Sequence, residues 1–407
     1  MRLHAMCAAV LAASPALAAD EPNVPPLVER FLVEGRLDEG EQALRERIAA
    51  QPGDSQAKYG LGIVHVLRAV ENLAQNLHRY GLRSQSPKLP FVRLPVPQNP
   101  KPEPLDYLKW RAVLQQLIDD LETASASLSA VDDPNVKLTL PVGMVRLDLD
   151  GDGTATDDET FWKVFTAVAW RAAKLDENQK RFPIGFDAAD VHWMIGYTHL
   201  LRAMAEAWLA HDTEEFFNVT APVFFAGAAS PPDVLGREEN AGGFNVDQFA
   251  DAILAVHLMH FEPVEPERMR AARKHLLTMI AESRKVWELA LAETDDDREW
   301  IPNARQTSLT PLTVTDEIVA GWKQFLDEAE DVLEGRKLIP HWRVKGERGI
   351  DLKQVFEEPR TFDLVMWAHG IAALPFVKEG DLVTKETANT LSRTFQGRFV
   401  VFAVWFQ

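Results

Sequence analysis

The sequence predicts a mainly α-helical protein: a multi-helix array with a small irregular or β-containing part at its C-terminal end. Three observations lead there. Apolar residues recur every three or four positions through several long segments. Proline and glycine cluster between those segments. Several of the segments open on an Asp or Thr able to cap free backbone amides.

Residues 1–18 read as a secretory signal peptide. Arg2 supplies the positive end, residues 5–13 form a short apolar run, Ser14 and Pro15 break it, and Ala16-Leu17-Ala18 gives a small-x-small cleavage pattern. The run falls short of the roughly 20 apolar residues a spanning helix needs. The one cysteine, Cys7, lies inside this leader, without a lipoprotein attachment pattern. The expected mature chain therefore uses neither disulfides nor thiol chemistry, and the expected location is periplasmic or secreted. The formal net charge is −18. Such a balance speaks against nucleic acid and anionic membrane surfaces as partners, and is compatible with cations and basic proteins.

Residues 19–83 form the next unit. Gly35, Leu37, Gly40, Leu44, Ile48 and Pro52 fall at repeating intervals, and Tyr59 and Gly62 match the start of a second round. Small residues let paired helices approach, and Pro52 stops the second one. The spacing resembles a tetratricopeptide-type (TPR-like) helical hairpin, covering about one and a half repeats. The resemblance implies a surface that can contact another protein. Because a solenoid needs about three repeats, the hairpin is expected to pack on the rest of the chain. Residues 84–105 are proline-rich, with apolar Phe91, Val92, Leu94 and Val96 between the prolines; they read as an extended strap laid over the protein.

Residues 106–335 read as a helical core domain. It opens on an amphipathic helix over 106–128, with Leu108, Val113, Leu117, Leu121 and Leu128 as its apolar set. Residues 136–147 hold Pro141 and Gly143 and read as extended chain. Residues 148–159 follow, DLDGDGTATDDE. Asp148, Asp150 and Asp152 occupy positions 1, 3 and 5, and Gly153 the sharp turn at position 6. Thr154 at position 7 would give its carbonyl, Thr156 at position 9 its hydroxyl or a water, and Glu159 at position 12 both carboxylate oxygens. Calcium, a hard cation, wants six to eight oxygens at roughly 2.3–2.6 Å. The spacing resembles a lone EF-hand-type calcium loop, which implies Ca2+ as the ligand. Two features depart from a paired hand: position 8 is Ala155, and the incoming segment is extended. Glu159 is expected in the first turn of an exit helix over 161–173. No second loop of this kind occurs, so a structural ion is expected in preference to a sensor.

Further helices are expected over 188–210, 244–261, 267–291 and 316–333, with a last one over 361–373. On the first of these, His192, His199 and Glu206 recur every seven residues with Arg202 beside them, one polar stripe on an apolar helix. Such a stripe can line a pocket or make hydrogen bonds between packed helices. His257 and His260, three apart, would meet on one helix face, with Glu262 following and His275 or His369 as completing ligands for a transition metal. Residues 336–407 form a C-terminal segment packed on the core. There Arg336, Lys337, His341, Arg343, Lys345 and Arg348 surround Trp342, a basic island suited to a carboxylate ligand or to acidic surface elsewhere in the molecule. Residues 399–406 are apolar and short, expected as a buried strand or helix.

The pattern predicts an exported, calcium-binding helical protein, a non-catalytic scaffold or binding protein with a structural Ca2+ site. The competing expectation is a periplasmic hydrolase or lyase acting on a cell-envelope polymer, with the histidine stripe and the basic island facing one cleft. No zincin pattern, nucleophile elbow, phosphate loop or dinucleotide fingerprint is present.

Overall fold

A computed structural model of the chain describes residues 25–84, 95–163, 180–229, 246–307, 314–384, 393–395, 399 and 402–403. The leader, the middle of the strap and most of the expected exit helix lie outside the described residues.

Helices dominate. The first three are Leu27–Glu34 (α1), Leu37–Ala50 (α2) and Ser55–Arg79 (α3). Gly35, at φ 67°, lets the backbone amides of Gly35 and Arg36 turn back onto the last carbonyls of α1. α2 ends before Pro52, and Asp54 caps α3 by accepting from the Ala57 amide at 2.9 Å. Tyr107–Leu128 (α4) lies against α3 at Gly62, where a Cβ would sit 2.5 Å from Leu128 Cδ2. Val113, Leu121 and Leu128 are buried as expected, but Leu108 is 75% exposed. It sits in the first turn, past the edge of the packed face, and Ile118 and Ala124 fill the stripe instead. Residues 95–105 run extended along the end of α3, with Val96 buried and its carbonyl accepting from Ser84 Oγ at 2.8 Å.

Leu138–Pro141 (β1) pairs antiparallel with Pro183–Phe186 (β2), Leu138 opposite Phe186. Then come Ala188–Leu209 (α5), His211–Asp212 (β3), Glu214–Phe224 (α6) and Val246–His257 (α7). α6 keeps Pro222 in its last turn, which is why its pattern is hard to see in the sequence. His260–Pro263 (β4), Pro266–Ala292 (α8) and Asp316–Leu333 (α9) follow. The helix expected over 244–261 is thus shorter: it stops at His257, and His260 opens a strand between β3 and Phe362–Asp363 (β6). Pro263 cannot continue a helix, and the two flanking strands satisfy the extended backbone.

The C-terminal part mixes short elements: Arg348–Ile350 (β5), Leu352–Glu357 (α10), Leu364–His369 (α11) and Val377–Glu379 (β7), with β5 and β7 antiparallel. α11 is shorter than expected because Gly370, at φ 93°, terminates it. Phe402 and Phe395 are buried against Trp322 and Trp287, tying the end of the chain to α8 and α9. The most extensive helix interface is α5 on α8, and α3, α4 and α5 stack beside it. One apolar core joins α1–α3, β1, β2 and the start of α5, and a second joins α8, α9 and the terminal phenylalanines. No described helix is long and apolar enough to cross a membrane.

Candidate metal centre

The acidic loop hangs from a short antiparallel closure. Arg146 and Thr160 bridge, and the Phe161 amide donates to the Val145 carbonyl at 2.8 Å. Between these ends the aspartates bond to amides just ahead of them. Asp148 accepts from Gly151 at 2.8 Å and from Gly153 at 2.9 Å. Asp150 accepts from the Asp152 amide at 3.1 Å, and Asp152 from the Thr154 amide at 2.8 Å. Gly153 stands at φ 87°, a conformation other residues rarely adopt. The outcome is one cluster in which oxygens of Asp148, Asp150 and Asp152 all lie within 4.8 Å of one another. Two oxygens on opposite sides of a calcium ion are at most about 5 Å apart. The donor set, hard carboxylate oxygen without nitrogen or sulfur, suits the same ion.

Glu159 departs from its expected place. It lies in a separate 3-10 turn, Asp157–Glu159, and Thr160 is extended before the next helix begins. Thr156 caps that turn, and Glu159 answers it: Oε2 accepts from the Thr156 amide and hydroxyl, both at 2.8 Å, while Oε1 accepts from the Leu149 amide at 2.8 Å. With 6% exposure it is the loop's internal brace. The Thr156 hydroxyl is directed at Glu159, and the Thr154 amide at Asp152. A carboxylate oxygen has more than one lone pair, so the brace still leaves Glu159 acceptor capacity for a cation.

Two groups that hold the loop are invisible in its spacing. On α3, Glu71 Oε1 accepts from the Asp148 amide at 2.8 Å, and Gln75 Nε2 donates to the Asp148 carbonyl at 2.8 Å. Burial pushes the Glu71 carboxyl up to about 7; the Asp148 amide opposes that rise and the Asp148 charge adds to it. The signal was an acid and an amide four apart on one helix face, but nothing in the sequence aims that face at residue 148. On the other side, Leu149 is buried in the core formed by the end of α3 and the start of α4. The Arg146 amide donates to the Leu32 carbonyl at 2.9 Å.

The polar stripe on α5 is brought against α8 and α4. His192 Nδ1 lies 2.6 Å from Glu282, and His199 Nδ1 lies 2.8 Å from His275 Nδ1. Arg202 lies 3.5 Å from Glu122, and Glu206 accepts from Arg268 at 2.8 Å. Burial, with the Arg202 charge second, lowers the His199 and His275 imidazoles, the latter to about 4. The other histidines do not converge. His257 ends α7, His260 is in β4 with Asp363 at 3.0 Å, and His275 belongs to His199. The single-helix spacing expected for a transition metal therefore fails, and among the described residues no histidine joins a cluster of metal-ligating side chains. In the basic island, Arg336 pairs with Asp331 at 2.7 Å and Lys337 with Glu328 at 2.8 Å. Trp342 is 71% exposed, and its ring is stacked by Arg343 at 4.1 Å.

Comparison of the chain with models of known families, with curated proteins and with solved structures finds no match.

Proposed function

We propose that the protein is an exported, calcium-binding helical scaffold or binding protein whose Ca2+ site is structural. The observation that carries this reading is the position of the loop. Asp148 is held at both its amide and its carbonyl by α3, Arg146 reaches the last turn of α1, and Leu149 enters the core. Asp148, Asp150 and Asp152 would hold the ion. Its charge would relieve the repulsion among three clustered carboxylates and the neighbouring Glu71. Binding at such a place stabilises the folded chain by mass action, and extracellular sites work at dissociation constants of roughly 0.1–1 mM. The TPR-like hairpin is the surface we assign to a protein partner.

The enzyme reading receives less support. His192, His199, Arg202 and Glu206 each engage a side chain of a neighbouring helix, and Trp342 is exposed and stacked by its sequence neighbour Arg343. The test is a thermal melt of the mature protein in millimolar calcium and in chelator, with elemental analysis of the purified sample. A clearly higher Tm in calcium, with bound calcium found, is expected. Equal melting in both conditions overturns the reading, and stoichiometric zinc would favour an enzyme.

A further inference from the structure

Trp342 stands on a tight turn ahead of β5, where the Val344 amide donates to the His341 carbonyl at 2.9 Å. The turn is seated on the end of α11. Gly370, at φ 93°, ends that helix, and its bare backbone receives the His341 ring: a Cβ there would lie 2.3 Å from His341 Cε1. The Trp342 ring follows, its centroid 5.7 Å from that of His341. The chain around Gly370 is wound closely. The Met366 carbonyl accepts from the Gly370 and Ala372 amides at 3.0 and 3.2 Å, and the Leu374 amide donates to the Ile371 carbonyl at 3.3 Å. Ala373 and Phe376 enter a small apolar core with Ile350, while Met366, Ile371 and Leu374 stay exposed.

Single exposed apolar residues are ordinary on a protein surface. Trp342, Met366, Ile371 and Leu374 strung round one seat have instead the composition of an interaction surface. Its charge is distinctive too. Residues 336–348 carry five Lys and Arg against one Glu, in a chain of net charge −18. Arg336 and Lys337 are engaged by Asp331 and Glu328, and Arg348 stands opposite Glu379 across the β5–β7 pair. Among the described residues, the exposed Arg343 and Lys345 form no ion pair, and Arg343 lies over the Trp342 ring at 4.1 Å. A guanidinium stacked on a ring keeps its N–H donors, which lie in its own plane, available to a carboxylate.

We propose that this surface, Trp342, Arg343 and Lys345 with Met366, Ile371 and Leu374, docks an acidic peptide segment of a partner protein, one whose Asp and Glu residues are interspersed with apolar ones. The cations select the partner by charge and the apolar side chains supply area. Tryptophan and arginine are the residue types that most often dominate such contacts. Charge is screened over about 8 Å at physiological ionic strength. A peptide therefore meets the basic island alone, whereas an anionic bilayer is broad enough to face the acidic remainder of the surface as well. An acidic saccharide would use the tryptophan and the cations but offer Met366, Ile371 and Leu374 no apolar partner.

The experiment probes an array of short synthetic peptides, graded in acidic and in apolar content, with the fluorescently labelled full chain. The best binders are then titrated in solution against wild type, Trp342→Ala, Arg343→Glu combined with Lys345→Glu, and Leu374→Ser. Leu108→Ser, at another exposed apolar position, is the control. All these side chains are exposed, and thermal melts matching wild type verify folding. Binding is expected where acidic and apolar residues occur together, to fall about tenfold or more in each surface variant but not in the control, and to weaken in high salt. Acidic peptides that bind no better than their Asn and Gln counterparts overturn the proposal, as does equal binding by wild type and the surface variants. Phosphatidylglycerol vesicles and polygalacturonate are titrated alongside. Binding of either without peptide binding, lost in the same variants, makes the surface a lipid or saccharide site and overturns the peptide reading. No arm of the experiment depends on calcium or on the TPR-like hairpin.

Discussion

Ala155 of the acidic loop rests directly on Gly35, the turn between α1 and α2: a Cβ added at Gly35 would lie only 2.2 Å from the Ala155 Cβ. Position 8 of the loop, where a paired hand would present a larger apolar residue to another loop, here presents a methyl group to a bare backbone. The two small residues explain each other. Gly35 also stands at φ 67°, so it is required twice, for its conformation and for its lack of a side chain.

Gly35→Ala is therefore expected to destabilise the protein by about 2 kcal/mol or more, from left-handed strain and overlap together. It should also weaken calcium binding, since Ala155 must move. Gly53→Ala, with nothing within 4 Å of the added carbon, is the control and should stay within about 0.5 kcal/mol of wild type. Urea unfolding of both variants checks this.

Asp150 and Glu159 should separate in the melts. Asp150 accepts one exposed amide, so Asp150→Ala should remove most of the calcium-induced rise in Tm and leave the melt in chelator nearly unchanged. Glu159 braces Leu149 and Thr156 from a buried position, so Glu159→Ala should lower Tm in both conditions, with a loss of about 1–3 kcal/mol of stability in chelator. Asp148→Ala should behave between the two, because its carboxylate accepts two amides. Unchanged melting of all three in calcium would remove the structural role.

Glu71→Gln should keep an acceptor for the Asp148 amide while removing a negative charge beside it. Stability in chelator should rise, and calcium affinity should fall severalfold. Gln75→Ala, by contrast, leaves the Asp148 carbonyl without its donor and should cost about 1 kcal/mol in both conditions. Calcium titration beside thermal melting distinguishes the two.

The His199–His275 pair sets an acid limit. Two ring nitrogens 2.8 Å apart can share only one proton, and burial together with Arg202 and Lys274 disfavours another. The folded His275 titrates near 4, below the ordinary value near 6.5. Between those values the unfolded chain binds more protons, so this contribution is complete above about pH 6.5 and is lost as pH falls towards 4. His275→Gln should reduce the acid-side loss by on the order of 1–2 kcal/mol after allowance for screening. Denaturant unfolding at pH 7 and pH 4.5, wild type against variant, measures it.

Much was legible in the chain alone. The amphipathic periods placed α4, α5, α8 and α9 almost to the residue, because burial of one helical face is a local pattern. The alternating aspartates and Gly153 marked the loop, because a tight turn with inward carboxylates needs those residues at that spacing. Tertiary structure decided the rest. His260 became a strand residue because β3 and β6 lie on either side of it. Glu71 and Gln75 became loop anchors, and Glu159 a brace, through contacts no spacing encodes. The α5 stripe met its partners across a helix interface, and Asp187, Glu293 and Glu299, dispersed over more than a hundred positions of the chain, were gathered at one junction. The division has one cause: backbone conformation and amphipathicity depend on neighbours in sequence, whereas the meeting of charged side chains depends on which faces pack.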